Sequence, residues 1–466
     1  EEGIAAIVRT WTDDLYYAAL RDPRVHLSRT RAEAWGEAFA IGYQATYSPA
    51  RAIDDIRTLG SLSQTNRVAI EFDRRDADED DRASLKIFHR GSPLPLSSRV
   101  PVLEAMGFLV VNERTFRVKP VDGDVPAYIH DMTLARGDGG GIDLATARDA
   151  LTSMFMAVWQ GRAESDRLNA LLLNAGIGWR EVAMLRAISR YLRQVGTAFA
   201  QDFIADALNN HPAIAAELVA LFADRFDPDR PVADRGAAIA ERERRIAEAL
   251  EDVRSLSDDT IVRAFQNVIA ATVRTNYYQV GRDGRPPDTL AFKIASAEVA
   301  GLPRPHPYRE IWVYSPRVEG VHMRFGTVAR GGLRWSDRPQ DFRTEILGLV
   351  KAQQVKNAVI VPVGAKGGFF PKRLPDRSDR EGFAAEGVAA YRIFVSTLLD
   401  VTDDIEPDGT IRPPERVVRH DRDDPYLVVA ADKGTATFSD TANAISQEHG
   451  FWLDDAFASG GSAGYD

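Results

Sequence analysis

Apolar residues fall at helical spacing over the first sixty positions, change to strand-like runs between about 63 and 135, and return to helical spacing as far as about 280. Beyond that they break into short strand-length runs separated by helices. Ile4, Ile7, Val8 and Trp11 open one predicted helix, Trp35, Phe39 and Ile41 lie in a second, and Ser48 with Pro49 starts a third. Residues 66–72, 83–89 and 107–118 predict strands, with a helix in RVPVLEAM ahead of the last. The acidic run at 73–82 between the first two is a polar hairpin loop; solvated charge explains it better than a metal site. Asp13 and Asp14 are taken as solvated surface for the same reason.

The glycines at 137–141 mark a linker. After it, Met154, Phe155, Val158 and Trp159 form one helical stripe, Leu168, Leu171 and Leu172 a second, and Val182, Leu185, Ile188 and Leu192 a third. Such stripes are core positions. Residues 241–256 alternate opposite charges at helical spacing and predict an exposed helix. His211, before Pro212, has no partner at metal-ligand spacing.

From about 285 the runs TLAFKIAS, EIWVYS and VHMRFG predict strands, the last two antiparallel across a short turn. Asp341 then caps a helix whose apolar face carries Ile346, Leu347, Val350 and Val355, and residues 358–363 (AVIVPV) predict a buried strand ending at Gly364. A helix in GFAAEGVAAYRIFVSTLLDV, a surface excursion around IRPPERVVRH, a strand from Leu427 to Ala431, and a helix capped by Ser439 or Asp440 with Ala442 and Ile445 inward complete the chain. The expected fold is multidomain α/β: a helical segment at 1–62, a small α/β domain at 63–136, a helical domain at 142–284 and a mixed-sheet domain at 285–466.

Composition narrows the function classes. The formal charge of −10 and the lack of a basic, aromatic-interleaved patch argue against a nucleic-acid partner. No stretch approaches eighteen uninterrupted apolar residues, so neither a membrane span nor a signal peptide is expected. The absence of cysteine excludes disulfides and thiol chemistry and is compatible with a cytoplasmic protein.

The chemistry concentrates between Gly326 and Phe370. Arg330, Lys356 and Lys366 are set there among glycine turns and helix ends, Arg330 before Gly331 and Gly332, Lys366 before Gly367 and Gly368. Taken singly, each is an ordinary solvated cation. Together they suit a substrate with more than one negative charge. The glycines allow a ligand close to the main chain. Lys366, just past an apolar strand, can lose solvation and serve as a base. Asp432, at the end of the predicted strand 427–431, supplies an acid at the strand edge where open α/β sheets bind ligands; a simple turn before Gly434 is the alternative.

The blocks GGLRWSD, KAQQVKNAVIVPVGAKGG, AADKGTATFSD and DAFASGGSAGYD, in that order, resemble the large NAD-specific glutamate dehydrogenases of bacteria. The resemblance implies Lys366 as catalytic lysine and Asp432 as proton shuttle. It implies that Lys356 binds the α-carboxylate of a dicarboxylate substrate and Arg330 its side-chain carboxylate, with Gly331, Gly332, Gly367 and Gly368 lining the site. Arg330 stands where shorter family members usually carry lysine, and VVAAD replaces their proline-rich lead-in to the aspartate. The 63–136 region resembles an ACT domain, which implies an amino-acid effector or an assembly role, and the family implies a homo-oligomer. NAD is the implied cofactor, yet no strand, G-x-G-x-x-G turn and helix occurs. Gly137 to Gly141 lack the spacing, and Gly460, Gly461 and Gly464 lack a following helix, so the chain is expected to be part of a longer protein. A non-catalytic amino-acid sensor and a helical assembly segment are the rival readings.

Overall fold

The computed structural model describes residues 9–75, 79–356 and 363–462, with positions 353–356 described by their backbone alone. Two compact units, 1–156 and 157–466, make up the chain.

In the first unit, helices α1 (Trp11–Arg21), α2 (Arg29–Ala38), α3 (Ile41–Thr46) and α4 (Pro49–Gly60) precede a four-stranded sheet. Its strands are β1 (Val68–Asp73), β2 (Arg82–Arg90), β3 (Phe108–Val118) and β4 (Ala127–Arg136), all antiparallel in the order β1-β2-β4-β3, with α5 (Leu96–Ala105) between β2 and β3. Thr10 and Asp13 close a capping box on α1, and Ser48 caps α4 ahead of Pro49. Ile4 to Val8 lie outside the described residues. The single helix expected across Trp35, Phe39 and Ile41 is two, because Phe39 leaves α2 in an extended conformation and its backbone bridges Val118.

Strand β4 gives no apolar signal in the sequence, since its centre carries His130 and Asp131. Both are buried because partners reach them: Thr115 bonds the imidazole at 2.8 Å, and Tyr47 and Arg75 hold the carboxylate. Leu15, Trp35, Tyr43, Ile53 and Ile56 share one core with Phe88, Phe116 and Ile129, so the helices and the sheet fold around a common interior. Inside it Lys86 of β2 meets Asp55 of α4 at 2.6 Å, the two side chains 4 % and 0 % exposed. Burial pushes Asp55 up and Lys86 down, each countered by the charge of the other.

After α6 (Leu144–Trp159), the second unit contains helices α7 (Leu171–Ala175), α8 (Trp179–Gln194), α9 (Gln201–Asn210), α10 (Pro212–Phe226), α11 (Val232–Glu251) and α12 (Leu256–Ala271). They lead into a mixed seven-stranded sheet of β5 (Thr272–Thr275), β6 (Leu290–Ile294), β7 (Arg309–Tyr314), β8 (Val318–Arg324), β9 (Ala329–Arg330), β10 (Leu333–Trp335) and β11 (Val363–Pro371). The order is β10-β11-β8-β7-β6-β5, with β9 also on β11. β9 and β10 run parallel to β11; the remaining pairs are antiparallel.

Helix α13 (Phe342–Lys356) connects β10 to β11 and buries Ile346, Leu347 and Val350 as their spacing predicts; the side chain of Val355 lies outside the described residues. Its start is pinned from three sides. Arg343 pairs with Glu310 of β7 at 2.8 Å, Tyr191 of α8 donates to the same carboxylate, and Trp312 stacks on Phe342. Asp341 precedes the helix, but its carboxylate is engaged by Arg338.

Helix α14 (Arg380–Leu399) is, among the described residues, the one helix long and apolar enough to cross a membrane by length and composition. Its Ala390, Tyr391, Phe394, Val395 and Leu398 are buried in a core with Leu333 and Phe369, which accounts for that apolarity. Beyond α14, β12 (Asp404–Ile405) pairs with β13 (Ile411–Arg412) in the polar excursion. The far end of that excursion turns inward: buried Arg274 binds Asp403 and Asp421, and Lys293 sits between Asp421 and Asp424. β14 (Val429–Ala430) then pairs in parallel with β15 (Ala458–Ser459) across α15 (Ser439–His449). No side chain caps α15, contrary to expectation. Ser439 is already its first residue and donates to the Ser459 carbonyl, while Asp440 accepts from Ser462.

Candidate active site

Most of the strand expected at 358–363 lies outside the described residues, and β11 runs from Val363 to Pro371. Lys366 is therefore inside a strand, not beyond its end. A glycine pair reads locally as a turn. Here it is flanked on both sides, by His322 and Val321 of β8 and by Leu333 and Arg334 of β10. The register decides which side chains share a face. Arg330 lies opposite Gly364 and Arg334 opposite Gly368, so Arg330, Lys366 and Arg334 fall on one face of the sheet.

Asp432 arrives from β14, where Ala431 bridges Leu333 in parallel. Its position is fixed by a tight turn. The Asp432 amide donates to Thr435 Oγ1 at 2.9 Å, and that hydroxyl donates to the Leu333 carbonyl at 2.7 Å. Gly434 has φ +83 with the Trp335 Cβ 2.9 Å from where its own Cβ would stand, which leaves no room for another residue. Thus Asp432 forms the turn and stands at the candidate site.

Lys366 Nζ donates to Asp432 Oδ2 at 2.8 Å, the two side chains 12 % and 19 % exposed. The other carboxylate oxygen takes the Lys433 amide at 2.8 Å and faces Arg334 Nη2 at 3.5 Å. Arg334 is held in turn by Glu345 of α13 at 3.0 Å, and Glu345 accepts from Ser336 at 2.7 Å. Burial pushes the Asp432 carboxyl up, but the Lys366 hydrogen bond, the Lys433 amide and the charges of Lys366 and Arg334 outweigh it and hold the group below the usual carboxylate range.

Arg330 is exposed at the end of β9, and its guanidinium makes no ion pair or hydrogen bond among the described residues. Lys356 is the last residue of α13; its side chain lies outside the described residues. The four glycines stand where the strands approach one another closely. A Cβ on Gly331 would stand 1.5 Å from the Ala365 carbonyl oxygen, and the corresponding atoms on Gly332, Gly367 and Gly368 would meet Ala431, Leu333 and Ile346 at 2.7, 2.4 and 2.5 Å. None of the four has a positive φ. The close approach they permit is to the protein's own chain. They bring β9, β10, β11 and the Asp432 turn together.

Comparison with known proteins bears on what this arrangement is for. A family model described as the catalytic domain of bacterial NAD-glutamate dehydrogenase matches residues 245–466. Models of glutamate dehydrogenase helical motif 2, ACT3 domain and helical motif 3 match 29–62, 67–147 and 163–228. Over all of this chain, the NAD-specific glutamate dehydrogenases of Halomonas elongata and Pseudomonas aeruginosa are 49 % and 47 % identical, and that of Mycobacterium tuberculosis is 47 % identical over 98 % of it. Along its length the chain is similar to a segment of the large bacterial NAD-specific glutamate dehydrogenases.

It spans 29 % of the length of each of these three relatives. A dinucleotide's pyrophosphate binds where a glycine turn opens onto a helix N-terminus. Gly460 and Gly461 follow β15, but among the described residues no strand leads through a G-x-G-x-x-G turn into a helix. The structure brings the expected Lys366 and Asp432 together and adds Arg334, Glu345 and Thr435, which the sequence did not single out. Arg334 sits inside the quoted GGLRWSD block, but its role emerges only once β10 is laid beside β11.

Proposed function

We propose that this chain is the substrate-binding part of an NAD-dependent glutamate dehydrogenase, which converts L-glutamate to 2-oxoglutarate and ammonium. The carrying observation is the Lys366–Asp432 pair, 2.8 Å apart at a strand edge, with Arg330 and Arg334 on the face Lys366 occupies. A twice-negative substrate requires cations that are not already neutralised, and Arg330 is one. In this reading Arg330 receives the side-chain carboxylate and Lys356 the α-carboxylate. Lys366 exchanges its bond to Asp432 for one to the substrate nitrogen, or to the water that attacks the imine carbon. Asp432 then accepts and returns the proton across the distance already seen between them. The glycine-rich strands exclude bulk water by drawing the walls together. No step is assigned to a nicotinamide held by these residues. The segment 1–62 and the ACT-like region 63–136 are assigned to regulation or assembly, on the match to an ACT3 domain model and the folded sheet.

The test is to exchange this chain for the matching segment of the Halomonas elongata enzyme and follow glutamate-dependent reduction of NAD. Lys366→Ala and Asp432→Asn should each lower kcat by roughly 10²- to 10⁴-fold, the usual contribution of a positioned acid or base. Full activity in either variant contradicts the assignment.

A further inference from the structure

We infer that Arg334 is a positioning residue for Asp432: it keeps the carboxylate ionised and turned so that one oxygen faces Lys366, and Glu345 of α13 fixes Arg334 for that task. The inference rests on the proposed role of Asp432 and extends it to a second layer of side chains. Asp432 has two oxygens with separate partners. Oδ2 meets Lys366 at 2.8 Å, while Oδ1 is held by the Lys433 amide at 2.8 Å and by Arg334 at 3.5 Å. Held by Lys366 alone, the carboxylate plane could tilt about its last bond. The contacts to Oδ1 fix that plane toward the lysine.

Arg334 needs an anchor of its own. Its Nη1 donates to Glu345 Oε1 at 3.0 Å, and the other Glu345 oxygen accepts from Ser336 at 2.7 Å. Its Nε is buried without a hydrogen-bond partner among the described residues, so the guanidinium is held by its two terminal nitrogens alone. The chain Ser336–Glu345–Arg334–Asp432–Lys366 thus runs from the first turn of α13 to the proposed base. Lys356 is the last residue of that same helix. One rigid element therefore sets both the orientation of the proton shuttle and the start of a substrate-binding side chain. Arg334 lies opposite Gly368, and a larger residue there would meet Ile346, so the strand is pared to glycine beside the arginine.

The test reads the Asp432 carboxyl directly. In the 466-residue chain, its titration is followed by carbon-detected nuclear magnetic resonance, assigned by loss of the signal in Asp432→Asn. 2-Oxoglutarate binding is measured in parallel by calorimetry as a function of pH. Arg334→Gln should move the Asp432 titration to higher pH and carry the acid limb of binding with it. Arg334→Met, which removes the same charge, should move both in the same direction, and Arg334→Lys, which keeps it, should leave both near their unaltered positions. A purely structural arginine would alter stability or overall affinity and leave the titration in place. An unmoved Asp432 signal in a folded Arg334→Gln variant overturns the inference. If Arg334→Gln does not fold, an unmoved signal in Arg334→Met does so. Absence of 2-oxoglutarate binding at every pH in the unaltered chain would instead remove the functional reading while leaving the titration result standing.

Discussion

His322 shows how much one buried side chain can contribute to pH dependence. It lies on β8 opposite Gly367, is 2 % exposed, and its Nε2 has no hydrogen-bond partner among the described residues. Burial, helped by the nearby Arg324 charge, pushes the imidazole down to about 3. The unfolded chain, whose histidine titrates near ~6.5, takes up that proton first as the pH falls. Stability from this group is therefore complete above about pH 6.5 and is lost progressively toward pH 3, by up to about 5 kcal/mol at roughly 1.4 kcal/mol per unit. Replacing His322 with Leu should flatten the dependence of the urea midpoint between pH 7 and pH 5; an unchanged slope refutes the assignment. At this scale the sequence was informative where chemistry needs an unusual neighbourhood. Lys366 before two glycines and Asp432 ending an apolar run stand out. Arg334 and Glu345 do not, because an arginine in a strand and a glutamate in a helix are ordinary surface choices until their partners are known.

Among the elements, the contrast lies between helices, whose period is local, and strands buried by polar contacts. Helix α4 follows from its Ser48 cap and Pro49, α8 and α13 follow from apolar spacing, and β7 with β8 from a short turn between apolar runs. β4 escapes that reasoning because His130 and Asp131 occupy its middle, and β11 is hidden because glycine pairs signal turns. The Lys86–Asp55 pair ties α4 to β2 through the same kind of unreadable contact. Removing one partner of a buried pair leaves a desolvated charge, so Asp55→Ala should destabilise the first unit by about 3–5 kcal/mol. The double replacement Asp55→Leu with Lys86→Met should recover most of that loss in a denaturant titration. Equal damage from the single and double variants would show that the pair is more than a matched pair of charges.

For the whole molecule, the contacts that join segments far apart in sequence are what the apolar pattern does not display. Helices 1–62 and the sheet after them share a core, and the seven-stranded sheet of the second unit is joined to its helices through Glu310, Arg343 and Tyr191, which lie far apart in sequence. Such long-range pairs leave no periodic trace. The proposed function depends on Lys366 and its neighbours holding a dicarboxylate beside β11. Titration calorimetry of 2-oxoglutarate into the unaltered chain and into Lys366→Ala measures that directly. The account predicts binding to the unaltered chain, weaker binding of the monocarboxylate 2-oxobutyrate, and loss of the 2-oxoglutarate signal in Lys366→Ala. Equal 2-oxoglutarate binding by the folded Lys366→Ala variant would contradict it.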